Sequence, residues 1–406
     1  LISKDKSNYK KRKSLVRTVS ETFVSYNLLL PIAGKAQRFI DAGYSMPKAL
    51  ILAKNKHVID WALESVDLSE CNLIFMVRVD HIYNFSIDKI LKQKFGDDIK
   101  IVKVDKVTRG ALETCTLAKE HINNELPLII YTPDVNFGPK FKPSSIGNEA
   151  DGFLLTFTAN SPDHSYSDYD EDGIVTNVVE KEVISKEANV GLYYFKTGHM
   201  FLQYANEMIT KNILVKNEFY IAPMYNLMIR DGLKVKAANT EKMHVLGTPH
   251  QFEFFVDKVI NRFGSSPVAL ASDHSGYHIK EIAKKVLGKK NISFIDVGTY
   301  TDKSCDYTDY VKQVTSLINR RDCSHGISFC RSGQGANIAA NKVDGIISGL
   351  TFDEYTAEYA IKHNCCNHFA IPSKYIGEEQ FSIMVDVWLN TTFDGGRHFT
   401  RLFKLL

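Results

Sequence analysis

The segment from residue 329 to residue 343, FCRSGQGANIAANKV, limits the possible folds of this chain more than any other stretch. An apolar run from Gly326 to Phe329 predicts a buried strand that ends at Cys330. After a turn rich in glycine, the small residues from Ala336 to Lys342 predict a helix. A strand, a glycine turn and a helix form an anion-binding geometry, because glycine lets backbone amides converge and the helix start adds partial positive charge.

Cys330 stands where this predicted strand enters the turn. A thiol beside an anion-binding turn loses its proton more readily, which suits a base or a nucleophile next to an oxyanion site. Free cysteine is also among the most frequently buried residue types, so an inert core thiol accounts for the same position. The segment alone leaves both interpretations open.

Further polar clusters follow apolar runs or stand at helix boundaries in the same part of the chain. They are ASDHSG at 271–276, DVGT at 296–299, DYTDY at 306–310, KHN at 362–364 and DGGRH at 394–398. In open parallel sheets, ligands bind at the carboxyl ends of the strands. The pattern therefore predicts a ligand site assembled from several strand ends.

These motifs, taken in order, resemble the ribose-5-phosphate isomerase B and galactose-6-phosphate isomerase family over residues from about 266 to 406. The resemblance implies interconversion of an aldose and a ketose, carried as a 5- or 6-phosphate, through an enediolate. It implies no metal and no organic cofactor. Members of the family are dimers whose sites draw residues from both subunits, so a homodimer or a higher homo-oligomer is expected.

The resemblance also implies roles for individual residues. Cys330 is the carbon base, Ser332 relays a proton between the sugar oxygens, and His363 opens the sugar ring, while Asp273 and Asn364 order the hydroxyls. The other implied substrate- and phosphate-binding positions are Gly333, Gly335, His274, Asn337, Lys374, Arg397, Arg401 and Tyr307.

Some positions depart from the family pattern. Arg331 follows the base where glycine is common, Lys374 replaces an arginine, Ile347 replaces a frequent arginine, and Cys365 and Cys366 follow the His-Asn pair. A lysine keeps the charge of an arginine but loses its bidentate fork. The type of reaction is therefore predicted more firmly than ribose 5-phosphate as the substrate.

The first part of the chain carries a different set of signals. Residues 1–26 form a basic leader, and a strand from Leu28 then runs into a glycine turn at Gly34. Arg38 follows this turn, and Lys48 follows a short loop. Turn amides and two cations at such positions would surround a triphosphate.

Residues 27–262 resemble the sugar-phosphate nucleotidyltransferases. By this resemblance Gly110 lies where the nucleobase and sugar are recognised, Asp134 is a Mg²⁺ ligand, and the Glu180-Lys181 pair holds sugar hydroxyl and phosphate. Two departures concern the chemistry: Ala36 stands where a second glycine is frequent, and Val245 where many members have a second metal-binding aspartate. Two alternatives follow: an active transferase that uses Mg²⁺ and a nucleoside triphosphate, or a non-catalytic domain that binds sugar or nucleotide.

Composition and charge narrow the list of partners. The chain has 406 residues, 24% of them charged, with a formal net charge of +3, so neither nucleic acid nor a membrane surface is predicted as a partner. The seven cysteines contain no CxxC pair and are expected to be reduced thiols of a cytoplasmic protein. Redox sensing through Cys330 or the Cys365-Cys366 pair is a third, weaker alternative.

The expected fold class is α/β, with two Rossmann-like three-layer domains. A short Gly/Ser/Pro break at 264–267 separates the transferase-like domain, 27–262, from the isomerase-like domain, 267–406. In the second domain, strands alternate with helices, which predicts a parallel sheet covered on both faces. A bifunctional enzyme of carbohydrate metabolism follows as the functional hypothesis, supplying an activated sugar for capsular or other surface polysaccharide.

Overall fold

The computed structural model describes residues 25–53 and 56–405, so most of the basic leader lies outside the described residues. The first part of the chain contains thirteen strands among these residues. They are β1 (Tyr26–Pro31), β2 (Leu52–Ala53), β3 (Lys56–His57), β4 (Cys71–Arg78), β5 (Lys100–Val104), β6 (Leu128–Tyr131), β7 (Val135–Gly138), β8 (Gly152–Thr158), β9 (Ser165–Tyr169), β10 (Val175–Glu180), β11 (Glu187–Phe195), β12 (Val235–Asn239) and β13 (Lys242–Val245).

Short helices connect these strands. They are α1 (Gln37–Asp41), α2 (Val58–Leu63), α3 (Val79–Phe85), α4 (Ile87–Phe95), α5 (Ala111–Thr116), α6 (Lys119–Ile122), α7 (Gly198–Thr210), α8 (Met224–Arg230) and α9 (Pro249–Phe254), the last continuing as a π-helix, Phe255–Ile260. Single 3₁₀ turns occupy Lys48–Leu50, Leu68–Glu70 and Pro143–Ile146.

Nine of the strands form one mixed sheet. Its order is β10-β9-β11-β6-β1-β4-β5, with β8 paired to β11 and β12 paired to β8. Strands β6, β1, β4 and β5 are parallel, whereas β11 runs antiparallel to β6. Side chains of β1 alternate between two hydrophobic clusters, Leu28 and Leu30 on one face and Leu29 on the other. This alternation shows that helices cover both faces of the sheet, as predicted.

The second part of the chain alternates strands and helices. Its strands are β14 (Val268–Ser272), β15 (Phe294–Asp296), β16 (His325–Cys330), β17 (Ser348–Leu350) and β18 (His368–Pro372). Its helices are α10 (Tyr277–Lys289), α11 (Tyr307–Asn319), α12 (Gln334–Ala340), α13 (Glu354–Lys362), α14 (Glu378–Asn390) and α15 (Gly396–Phe403). The five strands form a wholly parallel sheet in the order β15-β14-β16-β18-β17, which confirms the predicted sheet type.

The two faces of this sheet are packed differently. Large residues such as Leu270, Phe329 and Phe369 meet α10, α13 and α14 on one face. On the other face, α11 and α12 pack against alanines such as Ala271 and Ala370, and Cys330 belongs to this cluster of smaller residues. The small side chains let α12 approach the strand that carries Cys330.

A few element boundaries differ from those the sequence predicts. The segment GALETCTLAKEHI at 110–122 predicts a helix, which in the structure is broken by a turn at Leu117 and Ala118. The alternating pattern of the second domain predicts strands starting near Ile292 and Ile346, and these strands begin two residues later. We propose to treat residues 27–262 and 267–406 as a first and a second domain, because each of these ranges contains one main sheet.

Within the described residues, no helix has the length and apolar character needed to cross a bilayer.

Candidate active site

The turn after β16 depends on one glycine conformation. Gly333 has φ +73°, in the left-handed region, and an added β-carbon would overlap the side chain of Leu350. Its N–H donates to the Cys330 carbonyl at 3.3 Å, and the N–H of Ser373 donates to the same carbonyl at 3.0 Å. The Gly333 amide, one of the expected oxyanion donors, is therefore already engaged, which leaves the Gly335 amide at the helix start as the better candidate.

Cys330 and Ser332 differ sharply in exposure. Cys330 is 4% exposed and packs in the small-residue cluster, whereas Ser332 is exposed. The hydroxyl of Ser332 accepts a long hydrogen bond, 3.4 Å, from the N–H of Gln334.

Asp273 and His274 lie at the same edge of the sheet, directly after β14. The Asp273 carboxylate accepts the N–H of Gly276 at 2.9 Å, and burial raises the pKa of this carboxyl group above its ordinary value. His274 Nδ1 lies 3.2 Å from both the backbone nitrogen and the carbonyl oxygen of Cys305.

The remaining predicted residues of this edge surround the turn. The ring of Tyr307 lies against Gly335, close enough that a β-carbon there would strike it. Lys374 is exposed, and its backbone N–H donates to the Arg331 carbonyl at 3.3 Å. Asn337 lies in the first turn of α12. Within one chain, the turn after Cys330 is therefore surrounded by Tyr307, Asn337 and Lys374.

A second cluster forms around His363, at the C-terminal end of α13. The His363 ring stacks on that of His398 with centroids 3.9 Å apart, and its Nε2 lies 3.9 Å from a carboxylate oxygen of Asp394. Arg397 Nε donates to His398 Nε2 at 3.3 Å. Burial lowers the pKa of His363, the Asp394 carboxylate opposes this, and burial also lowers the pKa of His398 to about 4.

This cluster favours an anion over a metal ion. Ligand atoms of His363, Asp394 and His398 lie within 4.8 Å of one another, which would be close enough to bracket a cation. However, the guanidinium groups of Arg397 and Arg401 act on both histidines as neighbouring positive charges. Positive charge on α15 opposes cation binding and suits a phosphate dianion, as expected for both arginines.

Cys330 and His363 of one chain lie at opposite edges of the sheet. Gly326 pairs with His368, and Cys330 pairs with Pro372, so Cys330 is at the carboxyl edge. Helix α13 leads back to the start of β18, which places His363 at the amino edge. The four residue steps between the two pairs amount to about 13 Å. Within one chain, His274 therefore lies at the opposite edge from Arg397 and Arg401, and Asp273 lies at the opposite edge from Asn364. The expected groupings stay predictions for a site that draws on two subunits.

A cavity of about 340 Å³ lies at the carboxyl end of β1 in the first domain. Its lining includes Gly34, Arg38, Lys48 and Asp134, all of them predicted from the sequence. Lys48 Nζ lies 2.6 Å from Asp134 Oδ1, and the lysine side chain is only 13% exposed. The structure thus pairs the expected phosphate-binding lysine with the expected metal ligand.

Gly110, Glu180 and Lys181 are not among the residues that line this cavity. They meet instead around Phe219 and Tyr220. A β-carbon on Gly110 would overlap the Phe219 carbonyl, and Lys181 Nζ lies 5.8 Å from the centre of the Tyr220 ring. Burial raises the pKa of Glu180 to about 6 despite the neighbouring ammonium of Lys181.

The two departures in the first domain have clear structural positions. Ala36 adopts φ +50° and ψ +43°, a left-handed conformation in which glycine is unstrained. Val245 pairs with Val135, so no second carboxylate stands opposite Asp134. Among the described residues that line the cavity, Asp134 is the single carboxylate, which fits a Mg²⁺ ion held chiefly by phosphates and water.

Asp394 and His398 were not assigned a role from the sequence. Both belong to the DGGRH motif that drew attention to this region, so the signal was present. What could not be derived from the motif is that these two side chains flank the ring of His363.

Comparison with known proteins identifies the family of the second domain. Residues 268–405 match the Ribose/Galactose Isomerase family. The ribose-5-phosphate isomerase B of Escherichia coli is 33% identical over 135 residues, which are 33% of this chain and 91% of that protein. The chain belongs to the ribose/galactose isomerase family. Its second domain is a sugar phosphate isomerase domain.

Solved structures match each part of the chain separately. A ribose 5-phosphate isomerase from Thermotoga maritima is 40% identical in sequence. The match covers 35% of this chain and 97% of the Thermotoga chain, with a TM-score of 0.34. A nucleoside-diphosphate-sugar pyrophosphorylase from Vibrio cholerae is 24% identical in sequence. The match covers 56% of this chain and 99% of the Vibrio chain, with a TM-score of 0.51. The first domain of this ribose/galactose isomerase family member therefore has a nucleotidyltransferase-like fold.

Proposed function

We propose that the second domain interconverts an aldose and a ketose that carry a terminal phosphate, and that two copies of the chain build each site. The division of the predicted residues between two sheet edges carries this proposal. Cys330 and Ser332 lie at the carboxyl edge, whereas His363, Arg397 and Arg401 cluster at the amino edge. A second copy that presents its amino edge to the first copy's carboxyl edge supplies the missing half.

The chemistry needs no external electrons. The Cys330 thiolate takes the proton from C2 of the open-chain aldose, and the electron pair moves through C1 to the carbonyl oxygen, which gives an enediolate. Ser332 passes a proton between the two sugar oxygens, and the Cys330 thiol returns a proton to C1. The Gly335 amide stabilises the charged oxygen while the enediolate exists.

The amino edge serves the other end of the substrate. His363 transfers a proton between the anomeric hydroxyl and the ring oxygen to open the sugar. Arg397 and Arg401, one helical turn apart on α15, hold the phosphate. Because a free carbonyl end is required, the substrate class is a sugar 5- or 6-phosphate.

Mixing two inactive variants tests the two-copy site. Cys330→Ala and His363→Asn chains should each lose isomerase activity on pentose and hexose phosphates. In a mixed dimer, one of the two sites receives an intact half from each chain. Statistical mixing should therefore restore about a quarter of the native activity. No recovery after verified subunit exchange would refute the arrangement, and full activity of Cys330→Ala would refute the base.

For the first domain, Lys48 and Arg38 support binding of a nucleoside triphosphate in the cavity, with Asp134 as the protein ligand of Mg²⁺. The ion would neutralise phosphate charge during nucleotidyl transfer. The proposed activity is transfer of a nucleotidyl group to a sugar phosphate in the cytoplasm. The activated sugar formed in this way would supply the synthesis of capsular or other surface polysaccharide. Release of pyrophosphate from a nucleoside triphosphate and a sugar phosphate tests it.

The alternative for the first domain is binding without turnover. It is favoured by the single carboxylate of the cavity and by the ion pair that occupies it. Calorimetric binding of nucleotide with no release of pyrophosphate would select this alternative. Loss of binding in Lys48→Met, with Lys236→Met as the surface control, would locate the ligand in the cavity.

A further inference from the structure

Strand β13 of the first domain lies between the two candidate sites. On one side it pairs antiparallel with β7, and the N–H of Leu246 donates to the carbonyl of the cavity residue Asp134 at 2.7 Å. On its other side, the Met243 N–H donates to the Asp394 carbonyl at 3.2 Å. Lys242 Nζ reaches Thr392 Oγ1 at 2.6 Å. The strand thus touches the segment that carries the His363 cluster.

Asp394 is held from two directions. Its own N–H donates to the Lys362 carbonyl at 3.0 Å, and its carbonyl accepts from Met243 of β13. The next residue, Gly395, has φ +69°, and an added β-carbon would overlap the Met243 carbonyl. Only glycine lets the two backbones approach this closely. The backbone of Asp394 is therefore fixed between α13 and the first domain.

The side chain of Asp394 supplies the negative charge next to His363. The other charged or titratable groups that act on this ring are Lys362, Arg397, Arg401 and His398. All of these are cations or can become cations, so each opposes protonation of the ring. Tyr359 adds an edge-on aromatic contact at 4.5 Å. Without the Asp394 carboxylate, the ring would be surrounded by positive charge when it takes up a proton.

We propose that Asp394 is a positioning residue whose carboxylate lets His363 accept a proton, and that β13 of the first domain holds Asp394 in place. This inference rests on the proposed role of His363 in ring opening. The E. coli relative is covered over 91% of its length by the second domain, so support from a strand such as β13 is an addition made by this chain.

Proton NMR of the full-length chain tests the carboxylate without relying on catalysis. The His363 signal is assigned with His363→Gln and titrated in the native protein, Asp394→Asn and Asp394→Glu. Loss of the charge should lower the pKa of His363 further, by about one unit, and glutamate should restore it in part. An unchanged His363 titration in Asp394→Asn would overturn the proposal even if isomerisation is confirmed.

Kinetics of a first-domain variant test the support from β13. Lys242→Met removes both the bond to Thr392 and the positive charge that Lys242 places near the Asp394 carboxyl group, so kcat for isomerisation should fall about threefold or more, with KM for the sugar phosphate nearly unchanged. Lys236→Met, which removes a comparable bond to Glu149 on the same domain, is the control and should behave like native protein. Combining Lys242→Met with Thr392→Val should cost no more than either change alone.

These experiments test the role of β13, the isomerase activity and the role of Asp394 separately. Native kinetics in Lys242→Met would overturn the role of β13. Absence of isomerase activity in the native protein would remove the proposed function, while the NMR titration would still decide whether Asp394 controls the charge of His363.

Discussion

The contacts of His368 predict how the free energy of unfolding depends on pH. The imidazole is fully buried in β18, with Nε2 2.8 Å from Ser328 Oγ and Nδ1 2.7 Å from Ser348 Oγ. It therefore bonds the side chains of both neighbouring strands of the parallel sheet. Burial lowers the pKa of His368 to about 3. The ring is neutral in the folded protein at any pH near neutrality.

The sign and size of the effect follow from the difference between the folded and unfolded states. The unfolded chain binds a proton at His368 below its reference pKa of about 6.5, and the folded chain does not. The stability contributed by the neutral ring is thus complete above that pH and is lost as the pH falls towards about 3. Between pH 7 and pH 5 the loss amounts to about 2 kcal/mol from this histidine.

The assay compares the native side chain with His368→Gln, which keeps hydrogen-bonding groups but does not titrate. The chain has two tryptophans, so a Trp61→Phe background leaves Trp388, stacked on Phe369 beside His368, as the reporter of second-domain unfolding. Urea unfolding at pH 7, 6 and 5 gives the free energy of each protein. Other titrating groups, including the buried His244, cancel in the difference. If both proteins lose the same free energy between pH 7 and 5, the assignment of a neutral His368 is wrong.

Three further substitutions have expected outcomes. Lys280→Met removes a fully buried ammonium 2.5 Å from Asp296, and urea unfolding should show a loss of about 3 kcal/mol, because the carboxylate keeps only the more exposed Lys284 and the Gly298 N–H as partners. Gly110→Ala should lower the stability of the first domain by about 2 kcal/mol in thermal unfolding, because the methyl group overlaps the Phe219 carbonyl and φ is +144°. Ala36→Gly should raise stability by about 1 kcal/mol in thermal unfolding by relieving a left-handed φ; a lower stability would contradict this.

Much of the second domain could be predicted from its sequence because each signal is local. Alternating apolar strands and helices predict a parallel sheet, and the glycine turn after Cys330 marks its carboxyl edge. The position of His363 could also have been derived, since a helix between two parallel strands must return to the opposite edge. The clusters around Cys330 and His363 are therefore consequences of element order.

Contacts between distant segments could not be predicted in this way. No local pattern indicates that Lys242 meets Thr392, because 150 residues separate them. Nor does the sequence show that Lys48 pairs with Asp134, because Lys48 is expected to bind phosphate and Asp134 is expected to bind Mg²⁺. Such pairs depend on how the loops fold back over the strand ends, which neither periodicity nor composition encodes.

The contact between β13 and residue 395 has a practical consequence for handling the protein. The backbone bridge from Met243 to Gly395 acts with a cluster of Phe254, Cys365, Phe393 and Leu402 that crosses the boundary between the domains. A protease that nicks the short link at 264–267 would cut the covalent tether and leave these contacts intact. The two fragments should then travel together through a sizing column, and only a denaturant would part them.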